Sequence, residues 1–434
     1  MTGATMPDLR GRPASRHPTA ALLLLASIVV TLLAASAAPT PLYATYAAEW
    51  HFSPITTTVV FGTYALAVLV SLLLLGRISD HLGRRPVLLV SLGIAVAAMI
   101  VFLTAGSVPA LLVARAVQGV ATGAAIGAVG AGMLDLHKER GALANSVAPG
   151  IGTAVGVVGS AAVVQFLPFP THLIYLLLIA AYLAQAIGVL LLRETVTRAP
   201  GALRSLRPEL SLPRATRGAV AVAAPVLFAV WSLVGFYGAL APGIVAGMAH
   251  SHAPLLGGLG LFLAAAVGTV PVLALRTVPA RTVLHLGTIG LLAGIALVVG
   301  SVSAGSAVGF FVGTAIAGLG FGAGFQGGIR TVVPLAAPHE RAGVLSLLYI
   351  VCYLGMGGPA VLGGVLAVRL GSLPAAARDY GIGVLVLGAL ALAGLLLRRP
   401  RRPAAPSPRP EPVRATVGAT ASGCPDRLPD PAGE

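Results

Sequence analysis

Long apolar runs recur along this sequence, and each has about the length of a membrane-spanning helix. A helix needs about 20 mostly apolar residues to cross the hydrocarbon core of a bilayer. The sequence therefore predicts an all-α polytopic membrane protein with twelve transmembrane helices, six on each side of a polar break at 193–217. The predicted spans are 19–41, 55–76, 87–105, 109–134, 143–167, 172–192, 218–247, 254–275, 282–300, 305–329, 343–368 and 381–397. The first run is longer than the apolar part of a secretory signal, so we interpret it as an uncleaved helix.

Composition excludes two other classes of protein. Only 9% of the residues are charged and 57% are hydrophobic. Soluble domains carry about a quarter charged residues, and disordered chains combine low hydrophobicity with high charge. A soluble enzyme and a disordered chain are both excluded on these grounds. The two cysteines, Cys352 and Cys424, indicate neither a disulfide framework nor a metal site.

The formal net charge of +15 is spread in small basic groups between the apolar runs, which fits membrane loops better than a nucleic-acid surface. With the N-terminus placed in the cytoplasm, nearly all of these groups fall on the cytoplasmic side. Arg369 and Arg378 fall outside, and Arg115 lies within a span. Such an excess of lysine and arginine is typical of cytoplasmic loops. We expect a multi-pass protein of a bacterial-type cytoplasmic (plasma) membrane, with both termini cytoplasmic and no nucleic-acid partner.

The two sets of six runs resemble each other at a shift of about 200 residues. Segment 116–124 (AVQGVATGA) matches 315–323 (AIAGLGFGA), and 137–143 (HKERGAL) matches 339–345 (HERAGVL). Six helices per repeat give both halves the same orientation, related by an axis along the membrane normal. We expect a cytoplasmic N-terminal segment at 1–18, a six-helix bundle at 19–192, a cytoplasmic central loop at 193–217, a second six-helix bundle at 218–397 and a disordered cytoplasmic tail at 398–434.

The loop at 76–86 (GRISDHLGRRP), between the second and third spans, combines turn-forming and charged residues. Gly83 can adopt turn conformations that most residues avoid, and Asp80 offers an acceptor to arginine. Arg84 and Arg85 favour a cytoplasmic position. The loop resembles the signature G-x-x-x-D-x-x-G-R-R of the major facilitator superfamily.

With twelve spans and a 6+6 repeat, this resemblance covers about residues 19–397 and implies the major facilitator fold. In that family the loop aspartate and a following arginine join a carboxylate at the cytoplasmic end of the fourth span. Together they form a charge cluster that latches the outward-open state. The matching positions are Asp80, Arg84 and Asp135, in a loop that begins at Gly76.

Arg115, Gln118 and Gly119 in the fourth span resemble the R-x-x-Q-G pattern of the same family. An arginine inside a membrane span costs at least ~2.5 kcal/mol and usually faces the bundle interior. One interpretation is a cation in the transport cavity that helps to bind substrate or biases a proton site. The other is a structural donor to backbone carbonyls or to Gln118.

Gly152, Gly156 and Gly159 in the fifth span resemble a glycine-rich motif of drug–proton antiporters, which includes a Gly-Pro pair. Val157 stands where that proline is expected. Small residues at this spacing also let two helices pack closely. The glycines therefore fit an antiporter and plain helix packing equally well.

None of the 13 acidic residues lies in the middle of a predicted span. Proton coupling needs a group whose pKa shifts as the cavity opens. The candidates are Asp80 and Asp135, Glu49 near the outer end of the first span, and His285 near the inner end of the ninth. A cavity that lacks fixed negative charge suits neutral, zwitterionic or anionic compounds better than dications, given Arg115.

Aromatic and amide side chains at midplane can line a substrate site, although they also serve as packing or interfacial anchors. The candidates are Tyr43, Tyr46, Tyr64, Gln118, Gln165, Trp231, Tyr237, Gln326, Tyr349 and Tyr353.

Prolines interrupt the first and seventh spans, which correspond to each other in the repeat. They are Pro39, Pro41, Pro225 and Pro242. Helices broken at corresponding places in two halves point toward gating regions.

These features favour a secondary transporter similar to bacterial drug and metabolite exporters. In such an antiporter, inward movement of protons drives efflux of the substrate, and the efflux of drugs gives drug resistance. The alternatives are a symporter or facilitator for a small organic solute and, in another class, a polytopic membrane enzyme. The expected partners are a small-molecule substrate, protons as coupling ion and the lipid bilayer. We expect a monomer that is not an enzyme and holds no cofactor and no metal.

Overall fold

The computed structural model describes residues 18–197, 199–251 and 253–397, and the regular secondary structure in these ranges is helical. Twelve helices there are long and apolar enough to cross a membrane, which confirms the predicted number of spans. They are α1 (Pro18–Ala37), α2 (Pro54–Leu75), α3 (Arg84–Leu103), α4 (Val108–Leu136), α5 (Lys138–Phe166), α6 (Pro170–Leu191), α7 (Arg214–Ala239), α8 (Pro254–Ala274), α9 (Ala280–Ala304), α10 (Ala307–Val332), α11 (Arg341–Leu370) and α12 (Leu373–Leu397). The tail predicted at 398–434 and residues 1–17 lie outside the described residues.

Two helices begin well before the apolar runs that predicted them. α5 begins at Lys138 rather than at residue 143, and α12 begins at Leu373 rather than at residue 381. The added turn of α5 carries three exposed charged residues at 138–140. Hydropathy detects the part of a helix that lies in hydrocarbon, whereas backbone hydrogen bonding continues the helix beyond it, so the predicted starts were wrong.

Two predicted spans are also broken near their prolines. α1 ends at Ala37 rather than at residue 41, and α7 ends at Ala239 rather than at residue 247. A short helix follows each break, at Tyr43–Trp50 and at Ala241–Ala249. Proline lacks the backbone N–H that would continue the helical hydrogen bonding, so the chain turns and starts a new helix. Pro225, in contrast, lies inside α7 without ending it.

The two short helices end in the same way, which is further support for the repeat. His51 follows the first with φ of 53° and His250 follows the second with φ of 46°. Both values are left-handed, a conformation that commonly terminates helices. Pro54 then begins α2 and Pro254 begins α8, and proline is favoured at the first position of a helix.

Corresponding helices pack on each other in the two halves. Among the first six, α1 packs on α5, α2 on α4, and α3 on both α4 and α6. Among the last six, α7 packs on α11, α8 on α10, and α9 on both α10 and α12. Adding six to the helix numbers of each pair in the first half gives the corresponding pair in the second half, as the predicted 6+6 major facilitator fold requires. Across the halves, α2 packs on α11 and α5 packs on α8.

Each half has its own large hydrophobic core, and a small cluster joins them. Phe61 and Ala65 of α2 pack against Met356 and Ala360 of α11 in this cluster. Further along, a Cβ added at Gly364 of α11 would overlap the hydroxyl oxygen of Thr58 in α2. The absence of a side chain at Gly364 therefore lets the two helices approach closely.

We name the ends of the bundle by residues that lie there. The Asp80 end carries the loop at 76–83, between α2 and α3, and the segment at 192–213, between α6 and α7. The Glu49 end carries the short helices Tyr43–Trp50 and Ala241–Ala249.

Candidate functional site

The predicted charge cluster forms at the Asp80 end. Arg84 makes an ion pair with Asp80, and its Nε lies 3.4 Å from Oδ2 of Asp135 at the end of α4. Arg84 Nη1 also donates to the hydroxyl of Ser79 at 2.7 Å. The Arg84 side chain is 13% exposed and that of Asp80 is 50% exposed. Ion pairs as exposed as these contribute about 0–1 kcal/mol each, so they can form and break at low cost.

Glycine is required at one position of the loop and at a facing position of α4. Gly83 has φ of 100°, a conformation that side chains rarely adopt. A Cβ at Gly83 would also lie 2.6 Å from the carboxylate of Glu194. A Cβ on Gly127 of α4 would lie 2.5 Å from the carbonyl oxygen of Gly76. α4 therefore passes directly against the start of the loop.

Glu194 is a member of this site that the sequence reasoning missed. Its carboxylate accepts hydrogen bonds from the backbone N–H groups of Arg84 at 2.8 Å and Arg85 at 2.9 Å. These are the first two residues of α3, whose N–H groups have no partner within the helix. The hydroxyl of the next residue, Thr195, donates to Asp135 at 3.2 Å. The segment after α6 is thus hydrogen-bonded to the charge cluster at both Arg84 and Asp135.

The second half repeats part of this arrangement with backbone carbonyls as acceptors. Arg85 donates to the Leu190 carbonyl near the end of α6 at 2.5 Å, and Arg281 donates to the Leu395 carbonyl near the end of α12 at 2.9 Å. Arg330 of α10 donates to the carbonyls of the loop between α8 and α9, at Leu275 and Val278. The second half therefore ties its loop by neutral acceptors, whereas the first half uses an ionic cluster.

Arg115 is completely buried in the first half and has neutral partners. Its Nε and Nη2 both donate to the hydroxyl oxygen of Tyr43, at 2.9 and 2.5 Å. Its Nη1 donates to the Ser36 carbonyl at 2.9 Å and to Oε1 of Gln118 at 2.8 Å. The rings of Tyr43, Tyr64 and Phe102 surround the guanidinium, with centroids 5.3 to 5.8 Å away. Aromatic faces and hydrogen bonds replace the water that the charge has lost.

Gln118 and Gly119 support this arrangement. Gln118 Nε2 donates to the Ala35 carbonyl of α1 at 2.9 Å. A Cβ on Gly119 would lie 2.9 Å from the Tyr64 carbonyl of α2. Hence α4 holds α1 through Gln118 and packs on α2 through Gly119, and the structural interpretation of the R-x-x-Q-G pattern describes the contacts. A role of Arg115 in substrate binding or coupling stays a prediction.

Two of the predicted lining residues lie together between the halves. Trp231 of α7 contacts Tyr353 of α11, with ring centroids 5.0 Å apart. It also contacts Phe325 and Phe321 of α10, at 5.7 and 6.4 Å. We call these four residues the Trp231 cluster. Trp231 and Tyr353 pack against the cluster that joins α2 to α11. The buried indole N–H of Trp231 has no hydrogen-bond partner within the described part of the chain.

Three other predicted lining residues have partners outside this cluster. Tyr46 shares a hydrogen bond of 3.2 Å with Tyr175 inside the first half. Tyr237 packs edge-on against Phe310 inside the second half. Gln326 donates to the Val272 carbonyl of α8.

The glycines of α5 face different neighbours. A Cβ on Gly156 would overlap the backbone of Ala34 in α1, and one on Gly152 would lie 2.9 Å from Cα of Val30. Gly159 has no heavy atom within 4 Å of the position of its added Cβ. Gly152 and Gly156 thus permit the close packing of α5 on α1, and Gly159 plays no part in it.

Histidine, cysteine and acidic side chains do not gather in a group that could hold a metal ion, as far as the described residues show. Of the proton candidates, Glu49 is exposed. The Nδ1 of His285 lies 2.7 Å from the Arg281 carbonyl within the same helix.

Two six-helix halves that pack alike and meet along α2–α11 and α5–α8 define a helical membrane protein of the transporter class. A family model described as the Major Facilitator Superfamily matches residues 23–277, which is more than half of the 434 residues. The chain belongs to the Major Facilitator Superfamily. It is accordingly a membrane transporter rather than an enzyme.

One characterised relative matches a short segment of the chain. Over 64 residues the chain is 47% identical to Multidrug resistance protein D of Escherichia coli (strain K12). The match covers 15% of this chain and 16% of the relative.

Proposed function

We propose that this protein exports a small organic compound across the cytoplasmic membrane by alternating access, driven by protons that move inward. The observation that carries the proposal is the Trp231 cluster, because Trp231 and Tyr353 pack against the residues that join α11 to α2. The segment that resembles a multidrug resistance protein supports export over uptake.

The Trp231 cluster is suited to an apolar or aromatic compound. Trp231, Phe321, Phe325 and Tyr353 lie well inside their helices, away from both ends. A buried donor without a partner costs about 1–3 kcal/mol, and the indole N–H of Trp231 is such a donor in the described chain. A substrate that carries a hydrogen-bond acceptor beside an aromatic surface would stack on these rings and satisfy that N–H.

The charges inside the membrane favour neutral, zwitterionic or anionic compounds. Arg115 places a buried positive charge in the first half, and its partners are a tyrosine, an amide and a carbonyl. The acidic residues of the twelve described helices lie near helix ends: Asp135 is in the last turn of α4, Glu139 is in the first turn of α5, and Asp379 is in the second turn of α12. A dication would therefore meet no compensating carboxylate on its path.

The cluster of Asp80, Arg84 and Asp135 serves as the latch between access states in this proposal. Its ion pairs are partly exposed and weak, as a latch that opens in each cycle requires. Asp80 and Asp135 are also the best placed proton carriers, because a proton on either carboxylate would break its pair with Arg84. The Asp80 end faces the cytoplasm in this arrangement, with both termini on that side and residues 193–217 linking the two bundles in a monomer.

A facilitator or symporter for a small organic solute is the second candidate. The location of the carboxylates at helix ends favours it, because many proton-coupled transporters carry an acidic group near midplane. Under this alternative the protein still transports a small organic compound, but inward proton movement does not drive export.

Tryptophan fluorescence tests the substrate site directly, because the chain has only two tryptophans, Trp50 and Trp231. The Trp50→Phe variant leaves Trp231 as the only indole, and the Trp231→Phe variant leaves Trp50 near the Glu49 end as the matched control. Both are titrated in detergent with neutral, anionic and dicationic aromatic compounds. We expect saturable changes with neutral or anionic compounds in the Trp50→Phe variant alone. Equal responses in both variants, or a preference for dications, would remove the Trp231 cluster as the substrate site.

A further inference from the structure

The segment between α6 and α7 lies against both halves at the Asp80 end. Its single helical turn, Arg204–Leu206, packs on α2. The side chain of Ser205 is buried there, at 8% exposure. After this turn the chain reaches α11, where Cβ of Ser211 lies 2.7 Å from the position of a Cβ added at Gly343. The segment 204–211 therefore spans from α2 to the first turn of α11.

Glu209 is the residue that contacts both halves at once. Its carboxylate makes an ion pair with Arg77, directly after α2. Its carbonyl oxygen lies 3.4 Å from the position of a Cβ added at Gly343 of α11. Gly343 is buried, so the main chain of the segment packs on α11 where no side chain intervenes.

The two ends of the α2–α11 pair are thus built differently. Toward the Glu49 end, Phe61 and Ala65 of α2 touch Met356 and Ala360 of α11 directly. At the Asp80 end, the segment 204–211 contacts both helices, α2 through Arg204–Leu206 and α11 through Ser211.

We infer that the segment 204–211 is a spacer that favours the state closed at the Glu49 end, and that the Arg77–Glu209 ion pair fastens it in place. The inference rests on the proposed alternating access, since it concerns the balance between the two access states. The pair is half exposed, with side chains 43% and 54% accessible. It is therefore a weak fastener that adjusts this balance without locking it.

Maleimide labelling at the Glu49 end measures that balance without any substrate. The reporter is a Val361→Cys substitution in a background in which Cys352 and Cys424 are replaced by serine. Val361 is half-buried and lies 3.3 Å from the position of a Cβ added at Gly62 of α2. A membrane-impermeant maleimide therefore reacts with it when α2 and α11 separate at this end.

Charge reversal and its rescue test the fastener. Arg77→Glu and Glu209→Arg should each raise the labelling rate at residue 361 by about two- to fivefold, as expected for an exposed pair. The double variant should return the rate to that of the parent. Glu139→Arg is the matched control, because Glu139 is an exposed acid at the same end with no ion pair among the described residues. It should leave the rate unchanged.

Unchanged rates in both single variants, or a double variant that labels as fast as the singles, would overturn the spacer. Failure of the proposed function would look different. A protein that binds none of the compounds tested would give no substrate-dependent change in labelling, while the response to Arg77→Glu and its rescue by Glu209→Arg would persist.

Discussion

Gln118 donates a hydrogen bond to the Ala35 carbonyl across 2.9 Å, and Pro39 is the reason that this carbonyl is free. In a continuous helix the N–H of residue 39 would bond to the carbonyl of residue 35, but proline has no N–H. Arg115 bonds to the next carbonyl, that of Ser36. The proline break in α1 and the R-x-x-Q-G pattern in α4 are therefore two parts of one structural unit.

This unit predicts a coupling between Gln118 and Pro39. A Gln118→Leu substitution leaves the Ala35 carbonyl buried without a donor and should cost about 1–3 kcal/mol. In a Pro39→Ala background the backbone N–H of residue 39 can take the place of Gln118, so the same substitution should cost less. Apparent melting temperatures of the four proteins in detergent measure the coupling. An identical loss in both backgrounds would contradict the relationship.

Arg115 should be essential to the stability of the first half. In an Arg115→Met variant, the Tyr43 hydroxyl and the Ser36 carbonyl lose their donor, which should cost at least about 2 kcal/mol. Arg115→Lys keeps the charge, but its three N–H donors sit on one nitrogen instead of being spread over a guanidinium, so it should recover only part of the loss. Thermal denaturation followed by tryptophan fluorescence makes the comparison. A stability close to that of the parent in the methionine variant would show that the buried network is dispensable.

Two glycines of α5 should respond oppositely to the same substitution. Gly156→Ala places a Cβ within the backbone of Ala34, and overpacking of this kind costs about 1–3 kcal/mol. Gly159→Ala adds a methyl group where there is open space, and alanine is favoured over glycine in a helix by about 1 kcal/mol. Melting temperatures should fall for the first variant and hold or rise for the second. Equal falls would refute the close contact of α5 with α1.

Glu194 should stabilise the start of α3. Glu194→Ala removes the acceptor for the N–H groups of Arg84 and Arg85 and should cost about 1 kcal/mol, as expected for the loss of a helix cap. Glu139→Ala is the matched control, since Glu139 lies at the start of α5 outside the cluster. Hydrogen exchange of the first turn of α3 provides the readout. Faster exchange there in the Glu194 variant alone is the expected result, and equal exchange in both variants would contradict it.

The spans and the charge cluster could be predicted because their signals are local. Hydropathy reports burial in hydrocarbon one run at a time, and twelve runs gave twelve helices. Asp80 and Arg84 are four residues apart on either side of Gly83, so the chain holds them close, and the family resemblance pairs them. Asp135 joins them because the family resemblance places it at the end of the fourth span.

The contacts that bring distant segments together could not be predicted in this way. Glu194 lies 110 residues after Arg84, and an acidic residue in a polar loop carries no signal of its partner. Tyr43 and Arg115 are 72 residues apart. The sequence around each residue carries no signal that two N–H groups of the guanidinium donate to the Tyr43 hydroxyl. The Trp231 cluster likewise depends on how three helices face each other, which no single helix encodes.

Proton flux in inside-out membrane vesicles distinguishes proton-coupled export from facilitated diffusion. The vesicles are energised to an acidic interior, and neutral or anionic aromatic compounds are added one at a time. The account predicts release of protons from the vesicle when a substrate is added, and loss of this release in Asp80→Asn with the Glu139→Gln control unaffected. Compound movement without any proton release, equal at all pH gradients, would contradict proton-coupled export and leave a facilitator in its place.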